Sequence, residues 1–399
     1  MKWSDRGHEL DEYAKELVQD FRNKKEKIFI FGAGLIGEDI RTILEKGGLF
    51  SGYIDNDREK QKSGINKAKV ISPQKYIYGN APGIIVIAAD KKNIPIMENQ
   101  LIQMGLKKNK DFYEYTIFMK NVFPILSVYV KNKLYVELVQ ICLTERCSLK
   151  CKKCAHACHV VDSKKPDLDI KMAKKSADIF FQHVDIVKEF VLIGGEPFLY
   201  KNLKEIIEYI GKTYRDKIVI FSISTNGTIM PTQSILELCK QYDVTFRISN
   251  YSAAVKHLEK KYKELQAILK KNRIPYTISD KETKWMDYGF ETVDRKGKEN
   301  ELIQVFDSCK TPCREIRGGH YHYCVMARSV SDNLNLGIGK NDYLDLEDIK
   351  TEDKKVLLEF QMGYSEKGYL DMCNYCNGAD AVNYQIPAAE QADDDDFSM

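Results

Sequence analysis

No stretch of this 399-residue chain is apolar for long enough to cross a bilayer. Its longer apolar runs, such as 83–89, fall far short of the roughly 18–20 residues a spanning helix needs. The opening Met1-Lys2-Trp3-Ser4-Asp5-Arg6 lacks the apolar core of a secretion signal, so a cytoplasmic protein is expected. A basic excess is missing too. Lys+Arg 61 against Asp+Glu 58 leaves +3, which argues against a dedicated nucleic-acid binder. Internal repeats and long low-complexity linkers are absent. Hydrophobic residues at 43% and aromatics at 11% suffice for packed cores and exclude wholesale disorder. The length predicts two or three domains.

Cysteine is abundant and clustered. Of 11, five are Cys142, Cys147, Cys151, Cys154 and Cys158, three are Cys309, Cys313 and Cys324, and two are Cys373 and Cys376, with Cys239 alone. Clusters in a cytosolic chain point to metal binding rather than to disulfides.

Hydrophobic periodicity predicts an amphipathic first helix through Leu10, Tyr13, Ala14, Leu17, Val18 and Phe21. A strand at 27–31 then enters Gly32-Ala33-Gly34-Leu35-Ile36-Gly37. A helix at 38–45 and strands at 52–54 and 84–89 complete a doubly wound parallel unit. A second alternation begins near 135, with strands at 189–193, 217–223 and 244–248 and helices at 169–184, 202–213, 233–241 and 255–271. Beyond about 295 the chain is irregular and cysteine-rich. The run Asp393–Asp396 reads as a solvated tail.

Cys147-x3-Cys151-x2-Cys154 follows a predicted strand. Three thiolates on one loop can hold three irons of a [4Fe–4S] cube and leave the fourth iron open. The alternative on spacing alone is zinc, with Cys158, His156 or His159 as the fourth ligand. Two further segments stand in order: Gly194-Gly195-Glu196-Pro197 after one strand and Ser224-Thr225-Asn226-Gly227-Thr228 after the next. Together the three resemble the signature of the radical S-adenosylmethionine (SAM) enzymes over about residues 136–290. That resemblance implies a partial (β/α)6 barrel and a cluster on Cys147, Cys151 and Cys154. It also implies SAM held by Gly194, Gly195, Glu196, Pro197, Ser224 and Asn226, with Arg247 and Ser249 at the end of the following strand. In the family, reductive cleavage of SAM yields a 5′-deoxyadenosyl radical that takes hydrogen from an unactivated C–H bond, fed by a reductant such as flavodoxin or ferredoxin. One departure is Lys153, where the family usually has an aromatic residue beside the adenine.

The spacing Cys309-x9-Gly319-x4-Cys324, then Cys373-x2-Cys376, resembles the twitch and SPASM extensions of the same enzymes. It implies a second, auxiliary [4Fe–4S] cluster, with Cys313 competing with Cys309 for one place. A zinc knot of four thiolates is the alternative, and His320 and His322 are near enough in sequence to ligate.

Gly32-x-Gly34-x2-Gly37 between strand and helix, with Asp55 ending the next strand, suits a nucleotide phosphate and ribose. With Ile71-Ser72-Pro73, the segment resembles small Rossmann-like domains of bacterial polysaccharide-modifying proteins. A nucleotide sugar, a scaffold role and a nicotinamide cofactor remain open there. Trp285 and Tyr288 are candidates for stacking on a sugar.

The expected architecture is α/β throughout. It comprises a Rossmann-like domain over 1–122, a radical SAM barrel over 134–292, a twitch/SPASM-like domain over 293–388 and an acidic disordered tail over 389–399. The expected activity is hydrogen abstraction from a nucleotide- or carrier-linked sugar, giving oxidation or epimerisation, with Cys158 or Cys239 as hydrogen donor. The alternatives are a SPASM-type peptide-modifying enzyme and a non-enzymatic iron–sulfur module.

Overall fold

The computed structural model describes residues 9–79, 83–337, 342–364, 367–379 and 385–392. The chain divides into two compact units, 7–135 and 136–399.

In the first unit, β1 (Ile28–Phe31), β2 (Phe50–Ile54), β3 (Val70–Ile71), β4 (Ile84–Ile87) and β5 (Phe112–Glu114) form one sheet in the order β3-β2-β1-β4-β5. Its pairings are parallel. Both central strands, β1 and β4, are buried at every position. A strand covered by helices on both faces must be apolar throughout, which explains the unbroken runs IFIF and IIVI. Phe29, Phe31, Ile54, Ile85, Ile87, Leu101 and Phe112 form a core cluster of this unit. Each such side chain contributes about 1.5–3 kcal/mol on burial. The first helix, Glu9–Asn23, buries Leu10, Ala14, Leu17, Val18 and Phe21, but Tyr13 stays 45% exposed at the margin of the stripe. Ser72 caps the helix Pro73–Tyr78 by accepting from the Lys75 amide, with Pro73 at the first helical position. That capping is the physical content of the Ile71-Ser72-Pro73 segment.

The second unit is built on an eight-stranded sheet. Its members are β6 (Tyr135–Cys142), β7 (Ile186–Ile193), β8 (Ile218–Thr225), β9 (Val244–Ile248), β10 (Tyr276–Ile278), β12 (Cys313–Arg317), β13 (His320–His322) and β14 (Tyr343–Asp345). The order is β10-β9-β8-β7-β6-β12-β13-β14. Strands β7 to β10 pair in parallel, and β12 joins β6 in parallel before the sheet turns antiparallel. The cysteine-rich segment thus continues the sheet of the βα region through Cys313, Arg314 and Glu315, which pair with Leu138, Val139 and Gln140. Helices Ile170–His183, Leu203–Thr213, Gln233–Gln241 and Leu258–Asn272 lie where periodicity places them. Asp169 caps the first of these by accepting from the Lys171 and Met172 amides.

A two-stranded ribbon pairs β11 (Lys284–Met286) with β15 (Gln385–Pro387). Residues 389–392 were expected to be tail. Instead they bond to the cysteine loop, since Lys152 N donates to Glu390 O at 2.7 Å and Ala392 N to Lys150 O at 2.7 Å. Asp393–Asp396, like the first eight residues, lies outside the described residues. Among the described residues no helix is long and apolar enough to cross a membrane.

Candidate functional site

The carboxyl ends of β6 to β9 converge on one pocket of about 420 Å³. In parallel sheets the strand carboxyl ends point loops and amides toward one edge, where ligands bind. Cys147, Cys151 and Cys154 line the pocket together with Gly194 and Gly195 after β7, Ser224 to Asn226 at the end of β8 and Ser249 after β9.

The two glycines are required by close approach. A Cβ at Gly194 would stand 2.6 Å from the Thr144 carbonyl oxygen, and one at Gly195 would stand 2.4 Å from that of Arg146. Gly195 N donates to Thr144 O at 2.7 Å and Glu196 N to Arg146 O at 2.9 Å, so this turn carries the loop that bears Cys147.

Several expected SAM contacts are placed elsewhere. Glu196 is fully buried and does not line the pocket. Its carboxylate accepts from Thr225 Oγ1 at 2.8 Å, Asn226 N at 2.9 Å and Phe198 N at 3.2 Å, so it ties the β7 turn to the β8 turn. Burial raises its pKa to about 7, above the level that its hydrogen bonds alone would set. Because the folded-state pKa exceeds the ordinary 4.5, its protonation favours the folded state, and that contribution fades as pH rises from 4.5 through 7. Glu196→Gln keeps an acceptor and cannot ionise. It is expected to flatten the decline in unfolding free energy across that window, as read by urea titrations at pH 5 and 8. Pro197 is buried behind the same turn and is also off the pocket. Arg247 is off the pocket as well. Its guanidinium pairs with Glu189 at 3.2 Å, and Glu189 also accepts from Ser222 at 2.8 Å.

Asn226 joins the β8 turn to the cysteine loop, donating to Ser148 Oγ at 3.2 Å and to Cys147 Sγ at 3.5 Å. Burial pushes the Cys147 and Cys151 thiols up to about 12, whereas a hydrogen bond from Cys158 brings Cys154 down to about 7. Cys158 is therefore a neighbour of Cys154 off the pocket wall, and Cys239 is buried in the helix Gln233–Gln241. Neither expected hydrogen donor reaches the cavity. Burial also lowers the His156 pKa to about 4, so its imidazole is neutral.

Residues beyond the barrel close the pocket: Lys284, Trp285 and Met286 of β11, and Tyr288. Tyr251 meets Trp285 edge-to-face at 5.5 Å. Lys153 lines the pocket and pairs with Glu291 at 3.1 Å. The aromatic residues that line the pocket are Tyr251, Trp285 and Tyr288, which no local spacing links to the cysteine loop.

A second pocket of about 30 Å³ is lined by Cys309, Cys324, Cys373 and Cys376. Cys313 is not among them. It sits on β12, where its electrostatic neighbours are Arg247, Arg314, Glu189 and Glu315. The Gly378 amide donates to Cys376 Sγ and the Ala379 amide to Cys309 Sγ, each at 3.3 Å. Amides aimed at sulfur suit thiolates, whose charge they stabilise. Among the described residues no three or more His, Cys, Asp or Glu side chains meet the geometry of a single metal ion. Soft thiolate donors, three in the first pocket and four in the second, are of the chemical type that iron–sulfur clusters take. Neither His320 nor His322 lines the second pocket; both rings pack on Tyr343.

In the first unit, the three glycines of the β1 turn differ in role. A Cβ at Gly32 would fall 2.4 Å from Ala88 O and one at Gly37 2.1 Å from Gly32 O, while one at Gly34 meets nothing within 4 Å. Gly34 precedes the helix Leu35–Gly47 and leaves its first turn open. Asp55 accepts from Ala33 N at 2.8 Å, Asp57 N at 2.9 Å and Lys60 Nζ at 3.1 Å, so its carboxylate shapes this turn. Gly37→Ala is expected to cost roughly 1–3 kcal/mol or more through overpacking. Gly34→Ala should leave stability nearly unchanged, with chemical denaturation as the measurement.

Residues 141–280 match the Radical SAM superfamily. The antilisterial bacteriocin subtilosin biosynthesis protein AlbA of Bacillus subtilis (strain 168) is 38% identical over 102 residues, 25% of this chain. The chain spans about a fifth of that relative's length. BtrN in complex with AdoMet and 2-DOIA is 17% identical, covering 64% of this chain and 98% of its own, with a TM-score of 0.43. Streptococcus suis SuiB bound to precursor peptide SuiA is 18% identical over 47% of this chain and 44% of its own, with a TM-score of 0.30. At these scores the superpositions carry no argument about substrate. The match over 141–280 holds the three-cysteine loop and the turns after β7 and β8, and the chain therefore contains a Radical SAM superfamily domain.

Proposed function

We propose that this protein is a radical SAM enzyme that takes hydrogen from a carbohydrate, carried on a nucleotide or a lipid, and so oxidises or epimerises it. One observation carries the reading: Cys147, Cys151 and Cys154 share a single pocket with Gly194, Gly195, Ser224, Asn226 and Ser249. The three thiols would hold a [4Fe–4S] cluster. The Gly194–Gly195 backbone and the polar groups of Ser224, Asn226 and Ser249 would orient SAM beside it. When bound, the pair supplies one electron and the adenosyl radical that removes the hydrogen atom.

The chain's own part is positional. Trp285 and Tyr251 offer flat apolar faces that shed water from the cavity and can carry adenine or a sugar ring. Cys309, Cys324, Cys373 and Cys376 would hold an auxiliary cluster, which would supply an acceptor for the electron that the substrate radical gives up on oxidation. The open turn at Gly34 is the proposed seat of a nucleotide or nucleotide sugar in the first unit.

A second reading is peptide modification, favoured by the 102-residue similarity to a bacteriocin biosynthesis protein. Both readings are tested by anaerobic reconstitution, reduction and quantification of 5′-deoxyadenosine. The expected result is strong stimulation by one sugar nucleotide. Stimulation by peptides alone would support the second reading, and no cleavage by fully loaded protein would overturn both.

A further inference from the structure

We infer that the segment 385–392 is a clasp on the SAM pocket and that Gln391 is a positioning residue that tunes the cluster on the three-cysteine loop; this rests on the radical SAM reading above. The Gln391 side chain makes three bonds. Its Nε2 donates to Cys151 Sγ at 3.2 Å and to Ala389 O at 2.7 Å, and its Oε1 accepts from Lys150 N at 3.0 Å. The backbones of Cys151 and Gln391 form an antiparallel bridge, closed by Lys152 N to Glu390 O and Ala392 N to Lys150 O. Ala389 is fully buried at the turn that brings the segment in.

The same segment also pairs with a second stretch of the pocket lining. Strand β15 pairs Gln385 with Met286, Ile386 with Trp285 and Pro387 with Lys284, and these three partners line the pocket. Eight residues therefore hold both the loop that would carry the cluster and the Trp285 strand that lines the same pocket. The donor to Cys151 comes from 240 residues away. Cys147, by contrast, takes its donors from Leu149 and Asn226 within the βα region.

A hydrogen bond to a ligand sulfur favours the more negative, reduced state of an iron–sulfur cluster and so raises its potential. Removing the donor should make the cluster harder to reduce. The test compares full-length wild type with Gln391→Leu, which keeps the side-chain bulk and loses the amide, by EPR-monitored redox titration with and without SAM. A SAM-responsive signal in the wild type is the check on the radical SAM reading itself. Given that signal, the expected result is a midpoint displaced to more negative potential, so that less than half of the cluster is reduced at the wild-type midpoint. An unchanged midpoint and line shape in the variant would overturn the inference. If Gln391→Leu takes up no cluster on that loop while keeping wild-type circular dichroism and auxiliary iron, the loss is specific and supports the clasp. Loss of both clusters with altered circular dichroism would mark a merely structural role and overturn it. Glu390→Gln, which leaves the backbone bonds and the Gln391 amide in place, should match wild type throughout.

Discussion

Replacing Cys147, Cys151 and Cys154 together with alanine is expected to remove about half of the bound iron and all reductive cleavage of SAM. The three thiols line the pocket that also offers the Gly194–Gly195 backbone and Asn226, so they are the group that would hold the cluster beside SAM. Replacing Cys309, Cys324, Cys373 and Cys376 should remove the other half of the iron. Uncoupled SAM cleavage should survive there, because the second pocket has its own four cysteines and its own amide donors, Gly378 and Ala379, and shares only Tyr288 with the first. Cys313→Ala should remove none, since that thiol does not line the second pocket. Iron analysis and 5′-deoxyadenosine quantification on the three variants separate these outcomes. Iron lost on Cys313→Ala would return Cys313 to the ligand set. Full SAM cleavage by the first variant would sink the site assignment.

The largest stability loss is expected at Arg328. Its guanidinium, 3% exposed, pairs with two carboxylates that are as deeply buried, Glu145 at 2.5 Å and Glu315. Gln140 Nε2 donates to Glu315 at 3.0 Å and Asn333 Nδ2 to Glu145 at 3.2 Å. Glu145 stands two residues before Cys147, so this network braces the stem of the cysteine loop against the segment after β12. Taking one member from a buried ion network strands the others in a low dielectric. Arg328→Met should therefore cost about 3–5 kcal/mol in denaturant unfolding. Adding Glu145→Gln should recover part of that loss, which a simple cavity would not allow.

The pH dependence of the wild type has a definite sign here. Burial would raise Glu145, but Arg328 outweighs it and holds the carboxyl at about 2, below the ordinary 4.5. This group stabilises the fold above pH 4.5, and its contribution is lost as pH falls toward 2. In Arg328→Met the carboxylate keeps Asn333 and Arg317, the latter at 3.5 Å, but loses its largest stabilising charge, so the acid-side loss of stability should shrink.

Much of this architecture is legible in the chain. The run IFIF, the alternation after 135 and the helix starts mark elements because a buried strand or an amphipathic helix writes its period into neighbouring residues. The three-cysteine loop and Gly194-Gly195 are legible for the same local reason. Glu196 is a different case. An acid next to a glycine pair on a ligand edge reads as a binding group, but its carboxylate turns inward to three donors on neighbouring turns. Arg247 is drawn off the pocket by Glu189, which is 58 residues away in sequence. Cys158 and Cys239 attract attention as thiols, yet packing keeps both from the cavity. Strand β12 is polar and short, so nothing in CREIR announces that it will extend the sheet beside β6.

The sequence by itself determined the alternation of strands and helices, the three-thiol loop and the open Gly34 turn, because each depends on residues within one or two turns of one another. Tertiary structure alone decided that Cys309, and not Cys313, lines the second pocket with Cys324, Cys373 and Cys376. It also decided that Arg328 sits between two acids, and that Gln391 reaches Cys151. Those outcomes depend on which distant segments share a cavity, and local period and spacing carry no record of it.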